Sequence, residues 1–567
     1  MPIMSCSRVV IAPRSLRPGR LLPATILVRI FALAMAGIAV GAWLHADAVA
    51  QQTSGRSVPN IVVIMADDLG FSDIGCYGAE IETPHLDALA ANGLRFTNFY
   101  NAARCCPTRA ALLTGLYPHQ AGIGHMTRDD GLPGYRGFLN DRCVTLAEVL
   151  REAGYATLTT GKWHVGSAPG QWPLDRGFDR FWGVPSGGGI YFKDALQIRK
   201  EVFFVEDDQR VEAPDDLYVT DTFTDYALAF IEQTVLRDQK PFFLYLAHIA
   251  PHWPLQAKPE DIAKYQGRYA AGWDAVRAAR FQRQVQMGIV PPDTVISPRD
   301  PQAGAWADTP ADVQRDLAHR MEIYAAQIDS IDQNVGRLLE KLETLQQLDN
   351  TLILFLSDNG CSAEGGPGGF SRGLPDAPLG TGLSYASAGL EWANVSDTPF
   401  RKFKMDTYEG GIVTPLVVHW PAGIAARGEL RHQMGHVIDL MPTFAELAGV
   451  AYPETFGDQT LLPVEGISLV PAFDNRPLDR DGLFWEHQGN KAVRIGDWKA
   501  VQPGNGPWEL YDLGNDRTER IDLADQHPKR LEELTHRWQV WAEHCGVWEW
   551  SELQRHRQTR SKGKPVR

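Results

Sequence analysis

Two adjacent thiols open the segment Cys105-Cys106-Pro107-Thr108-Arg109-Ala110-Ala111-Leu112-Leu113-Thr114-Gly115. Pro107 suits the first turn of a helix, and Ala110 to Leu113 are good helix formers. The cysteines then stand at a helix N-terminus, where free N–H groups and the positive end of the dipole favour an anion. Taken alone, the pair reads as buried structural thiols or a bridge between neighbours. Other reactive side chains come in short clusters: Asp67-Asp68, Lys162 with His164, His252, and Asp358-Asn359. A lone Asp-Asp pair reads first as a turn or helix cap. Taken together, three carboxylates and an amide oxygen suit a hard divalent cation, calcium in preference to magnesium, and not zinc or copper.

The position of these clusters along the chain makes them a candidate site. Asn60 to Met65 is a short apolar run rich in β-branched residues, fit for a strand buried on both faces. Similar runs span Tyr155 to Thr160, Phe242 to Ala247 and Thr351 to Leu356. Each is followed directly by one of the clusters. In an open parallel sheet the carboxyl ends of the strands share one edge, and ligands bind there. Four strands thus deliver their polar residues to one place. Helical patterns lie between them. Tyr324, Ile328, Ile331, Val335, Leu338 and Leu342 form one apolar stripe leading into the Thr351 strand. This alternation predicts an α/β sandwich with a largely parallel sheet.

Residues 258–308 hold a basic amphipathic helix around Ala275 to Val285 and a Pro-rich loop. Residues 360–397 are rich in Gly, Ser and Pro and long enough to face a substrate. Residues 476–481 form a polar link into a C-terminal part, read as a small antiparallel sheet (Gly482 to Glu486, Ala492 to Ile495, Trp508 to Leu513) with one helix near Lys529 to Ala542. The basic tail Arg555 to Arg567 reads as frayed. The expected layout is a signal segment 1–50, a catalytic domain 51–476 and a C-terminal subdomain 477–567.

The motifs occur in the order of a known family. Cys105-Cys106-Pro107-Thr108-Arg109 with Ala110 to Gly115 resembles the sulfatase signature C-x-P-x-R followed by A-x-L-L-T-G. Pro59-Asn60-Ile61 to Asp67-Asp68-Leu69-Gly70, Gly154-Tyr155 to Gly161-Lys162-Trp163-His164, Ala250-Pro251-His252-Trp253-Pro254, Ser357-Asp358-Asn359-Gly360, Lys404 to Glu409-Gly410-Gly411, and Trp508 to Leu513 match further family pieces. The histidine loop and double-Asp start are most similar to bacterial arylsulfatases. Cys106 stands where the family often has Ser, and Thr160 where it is often apolar.

The resemblance implies an alkaline-phosphatase-like fold and a formylglycine made from Cys105 by a formylglycine-generating enzyme. The register selects Cys105, since nothing separates Cys106 from Pro107. It also implies a cation held by Asp67, Asp68, Asp358, Asn359 and the modified Cys105. Arg109 steadies a gem-diol nucleophile, and Lys162 and Lys404 hold sulfate oxygens. His252, with Lys404, protonates the leaving oxygen, and His164 takes the diol proton as a covalent sulfo-enzyme breaks down. The implied activity is hydrolysis of sulfate monoesters, aryl sulfates included. A phosphonate monoester or phosphodiester hydrolase of the same superfamily is an alternative, and a non-catalytic binder of sulfated glycans a second. Trp253 fits either an aryl or sugar ring or the core, and Lys402 competes with Lys404.

The bulk numbers agree with this picture. Hydrophobic residues make up 44% and charged residues 22% of 567, as in ordinary globular proteins. The net charge of -14 disfavours nucleic acid, which needs a basic surface, but not a small anionic substrate met by a local pocket. Five Arg flank or precede the apolar run Ile30 to Leu44, and Ala48-Val49-Ala50 follows. That is the layout of a cleaved secretory signal, too short for a retained membrane span. It implies a periplasmic or secreted enzyme. Seven cysteines in a chain this long are not a disulfide scaffold. Asn394-Val395-Ser396 is a glycosylation sequon.

Overall fold

The computed structural model describes residues 58–562; the expected signal segment and Cys6 lie outside them. The apolar run after Pro59 forms β1 (Asn60–Asp67), buried along its whole length. Then follow β2 (Leu94–Tyr100), β3 (Ala156–Lys162), β4 (Arg180–Val184), β5 (Phe204–Glu206), β6 (Gln209–Val211), β7 (Phe242–Pro251) and β8 (Thr351–Ser357). A hairpin of β9 (Ser371–Gly373) and β10 (Ser384–Ala386) precedes β11 (Val413–His419), β12 (Glu429–Arg431) and β13 (Gly435–His436). The main sheet runs β12-β2-β11-β8-β1-β7-β3-β4-β5-β6, with β13 also paired to β2.

Its central strands β8, β1, β7, β3 and β4 are all parallel. These include the four apolar runs picked out from the sequence. β11 is antiparallel to both β8 and β2. Its Pro415 cannot donate to a ladder, and the register shifts between Thr414 and Leu416. The Thr414 hydroxyl accepts from Ser357 N at 2.8 Å, a side-chain bond where the ladder is broken.

Helices flank the sheet. α1 (Cys105–Thr114) is buried throughout. α2 (Val219–Gln233) packs on β3 and β7, and α4 (Ala311–Thr344) on β7 and α2. The stripe Tyr324 to Leu342 faces inward on α4, as its spacing predicts. Between them α3 (Gly272–Gln286) is the expected basic helix, but its arginines do not line an open surface. Arg280 is fully buried against Asp73 (2.5 Å) and Glu80 (2.8 Å), and Arg277 holds the Ser297 and Asn394 carbonyls. The insertion therefore clamps the loop after β1. The sequon also turns inward: Asn394 is 2% exposed on a buried helix, Leu390–Ser396. The folded chain offers no acceptor amide there.

The C-terminal part has an antiparallel sheet, β14 (Leu483–His487), β15 (Asn490–Ile495), β16 (Trp498–Gln502) and β17 (Glu509–Asp512), with α5 (Pro528–Cys545) against β15 and β16. Lys499 anchors this sheet, its buried ammonium 2.8 Å from Glu409 and 2.7 Å from Glu519. The tail is not frayed where described: α6 (Trp550–Lys562) is helical, and Arg557 pairs with buried Asp130 at 2.6 Å. No described helix is long and apolar enough to cross a membrane.

Candidate active site

The carboxyl edge of the parallel strands brings the clusters together. Asp67 ends β1 and Lys162 ends β3. Asp358 and Asn359 follow β8, and His252 follows β7. α1 runs in beside them, with Cys105 as its first residue and Arg109 one turn later. Asp67, Asp68, Cys105, Arg109, Lys162, His164, His252, Asp358, Asn359 and Lys404 are all buried.

Charges alternate through it. Lys162 Nζ donates to Asp67 Oδ2. Arg109 donates from Nε (3.1 Å) and Nη2 (2.7 Å) to Asp358 Oδ2, and from Nη1 to the Lys162 carbonyl at 2.9 Å. Lys404 Nζ donates to Asp68 Oδ2 at 2.9 Å, and His252 Nε2 lies 3.5 Å from the same oxygen. Asn359 Nδ2 donates to Asp68 Oδ1 at 2.7 Å. Burial alone pushes the Asp67 carboxyl up, but Lys162, His252 and Arg109 overcome it and hold the group at about 2. Burial dominates at Asp358 and, with Asp67 beside it, raises that carboxyl well above the usual range. Arg109 Nη2 puts one positive charge between these carboxylates, 2.7 Å from Asp358 Oδ2 and 3.7 Å from Asp67 Oδ2; a buried carboxylate cluster favours a further one.

Two oxygens identify a place for that charge. Asp67 Oδ1 and Asn359 Oδ1 are buried and have no hydrogen-bond partner. A buried acceptor without a partner is costly. Asp67, Asp68, Asp358 and Asn359 offer only hard oxygen donors, which fits a calcium- or magnesium-type ion.

Cys105 lies with Cys106 and His164, their ligand atoms within 4.8 Å of one another. The Cys106 thiol donates toward Cys105, and with Lys162 and His164 it outweighs burial and holds the Cys105 thiol well below its ordinary value. Burial pushes Cys106 the other way. Burial also lowers His164 to about 4, and its Nδ1 lacks a partner. The six described cysteines are all free.

Asp68 (φ 67°), Ala103 (φ 65°), His164 (φ 59°) and Met405 (φ 79°) hold left-handed backbone that non-glycine residues rarely adopt. Such strain collects at functional sites, where surrounding contacts enforce it. Met405 N donates to the Ala103 carbonyl at 2.9 Å, tying the lysine loop to the turn before Cys105.

Of the two candidate lysines, Lys404 reaches Asp68, while Lys402 pairs with Asp300 at 3.0 Å. Two contributors escaped the sequence reading. Tyr245, inside β7, lies 3.4 Å from Arg109 Nη1. Glu364 accepts from Trp253 Nε1 at 2.5 Å and sits 3.6 Å from both Lys404 and Arg104. Burial raises its carboxyl, but Lys404 and His252 bring it down to about 2. Tyr245 sits inside a run read as strand and Glu364 inside the loop 360–397, but neither belongs to a spaced motif that would have singled it out.

A sulfatase family model matches residues 59–450. The chain belongs to the sulfatase family. A second model, N-sulphoglucosamine sulphohydrolase, C-terminal, matches residues 400–539. An arylsulfatase of Klebsiella aerogenes is 36% identical to this sulfatase over 428 residues, 72% of the chain and 91% of the relative. An uncharacterized sulfatase of Schizosaccharomyces pombe is 36% identical over 527 residues, 86% of the chain and 94% of the relative. The crystal structure of Ps i-CgsB in complex with k-i-k-neocarrahexaose superposes with a TM-score of 0.65 at 28% identity, covering 86% of this sulfatase and 93% of that chain. Its relatives make this sulfatase a sulfuric ester hydrolase with the alkaline-phosphatase-like fold.

Proposed function

We propose that this sulfatase hydrolyses sulfate monoesters, aryl sulfates among them, with a nucleophile made by oxidising Cys105 to formylglycine. The observation that carries the reading is the position of Cys105. It opens a buried helix beside Lys162 and His164, at the edge where three carboxylates converge. Cys105 is 2% exposed, so a formylglycine-generating enzyme has to act before folding closes the site. Hydrated formylglycine supplies the hydroxyl that attacks sulfur and a second hydroxyl whose loss of a proton frees sulfate.

The residues present divide the remaining work. Asp67, Asp68, Asp358 and Asn359, with the modified Cys105, hold the divalent cation, calcium in our reading; bound there, it supplies positive charge against the sulfate and nucleophile oxygens. Arg109 steadies the nucleophile's side of the site. Lys162 and Lys404 present fixed charges where negative charge gathers on the sulfate oxygens. His252 delivers the proton to the leaving oxygen with help from Lys404, and His164 removes the proton that ends the cycle. The catalytic part spans residues 51–476, completed by residues 477–567. The enzyme is exported, with residues 1–50 removed.

A matched pair of substrates tests the reading. The purified enzyme is expected to turn over 4-nitrophenyl sulfate faster than bis(4-nitrophenyl) phosphate, and Cys105→Ala to lose turnover while melting as a folded protein. A phosphodiester preference would instead support the phosphodiesterase alternative. Turnover retained by Cys105→Ala would remove the nucleophile assignment.

A further inference from the structure

Outward from the buried charges, the side chains change character. The His252 ring packs on Trp253 with centroids 4.5 Å apart. Trp253 meets Phe370 edge-on at 5.4 Å and Tyr385 at 5.6 Å, and those two rings stack at 6.0 Å and 27°. All three rings are half-buried and form an apolar rim that begins at the His252 ring. Trp253 comes from the loop after β7, Phe370 directly precedes β9 and Tyr385 lies in β10, with Arg372 paired across the ladder from Tyr385.

Two guanidiniums lie on these rings. Arg372 Cζ is 4.6 Å from the Phe370 centroid, and Arg199 Cζ is 5.2 Å from the Tyr385 centroid. Arg199 also donates to the Tyr385 hydroxyl and to the Gly188 carbonyl, and it pairs with Glu201. Arg372 is exposed, and no carboxylate lies within ion-pairing distance of it among the described residues. In a chain with net charge -14, Arg372 on the hairpin and Arg199, which reaches Tyr385 from the segment between β4 and β5, put two guanidiniums on these rings. Arginine matches anionic oxygens through a planar fork of donors. Aromatic faces suit the apolar C–H face of a pyranose.

We infer that the Trp253–Phe370–Tyr385 rim with Arg199 and Arg372 is a subsite for a sugar carrying a second anionic group, a sulfate or a carboxylate, beside the ester that is cleaved. The inference rests on the sulfate-ester reading of the buried site. It makes the preferred substrate an acidic saccharide, with simple aryl sulfates filling only the inner half.

Binding to the full-length Cys105→Ala protein tests this without turnover. Calorimetric titration compares N-acetylgalactosamine 4,6-disulfate with the 6-sulfate. A second arm compares a 6-sulfated disaccharide with and without a uronate carboxylate. The second anionic group is expected to tighten binding by about tenfold in at least one arm. Adding Arg199→Gln and Arg372→Gln is expected to bring that ratio close to one, with the melting temperature measured alongside to show a folded protein. No gain in either arm, or a ratio that survives both substitutions, overturns the inference. Failure of the wild-type enzyme to cleave 4-nitrophenyl sulfate counts against the sulfatase mechanism instead, so the two failures are separable.

Discussion

Lys404 Nζ lies 2.9 Å from Asp68 Oδ2, joining the loop before β11 to the carboxyl end of β1. Lys402, two residues earlier, turns to Asp300 instead. In the proposed site Lys404 meets the sulfate, and Lys402 serves packing. Lys404→Ala is therefore expected to lower kcat/KM for 4-nitrophenyl sulfate by about 10²–10³-fold, the scale for losing one preorganised charge. Lys402→Ala, which breaks a partly exposed pair, is expected to stay within about twofold of wild type. Steady-state kinetics of the two variants side by side decides it, and equal losses would remove Lys404 from its role.

Removing the cation should cost both activity and stability. Asp67, Asp68 and Asp358 would then rely on Lys162, Arg109, Lys404 and His252 alone. Chelation is expected to abolish turnover and lower the melting temperature. Calcium is expected to restore both at lower concentration than magnesium. Full activity in the chelated, metal-free protein would contradict the oxygen-ligand site.

Gly360 sets how closely the Asp358-Asn359 turn approaches the chain after the lysine loop. A Cβ there would lie 1.8 Å from the Gly410 carbonyl oxygen. Backbone cannot yield cheaply to such a contact. Gly360→Ala is expected to displace Asn359 and to weaken calcium restoration of the chelated enzyme along with kcat. Normal calcium titration in that variant would show that the turn has slack.

Glu364 carries a pH signature. Its carboxyl is held at about 2 in the folded chain against 4.5 ordinarily. A depressed carboxyl adds stability above its unfolded value and loses it as pH falls toward the folded one. The side chain is about a quarter exposed, which screens the interaction, so Glu364→Gln is expected to cost about 1–2 kcal/mol near pH 7. Urea unfolding at several pH values should show this difference shrinking below pH 4.5. A difference that grows with acid would contradict the ion pairing to Lys404 and Arg104.

The sheet's centre was legible because β1, β3, β7 and β8 are buried on both faces and read as unbroken apolar runs. The polar residues at their ends were legible for the same reason, since a strand's carboxyl end fixes its neighbour's position. β11 was not, because Pro415 interrupts a run that the sheet accommodates with a register shift. The helix of α3 was legible from its pattern but the partners of its arginines were not; Glu80, 200 positions away, and Asp73 bury Arg280. The composition of residues 360–397 marked that loop as one to face a substrate, but which of its residues meet Trp253 and Lys404 depends on which loops meet above the sheet, and local residue patterns carry no trace of that.

In the proposed mechanism Cys105, and not Cys106, becomes the nucleophile. Cleavage after Arg104 and Arg109 releases Cys105-Cys106-Pro107-Thr108-Arg109 as one peptide. Tandem mass spectrometry of that peptide, from enzyme active on 4-nitrophenyl sulfate, is expected to show residue 105 lighter by the mass of hydrogen sulfide less that of one oxygen atom, with residue 106 an unchanged cysteine. Two intact thiols in fully active enzyme, or the change at residue 106, would contradict the account.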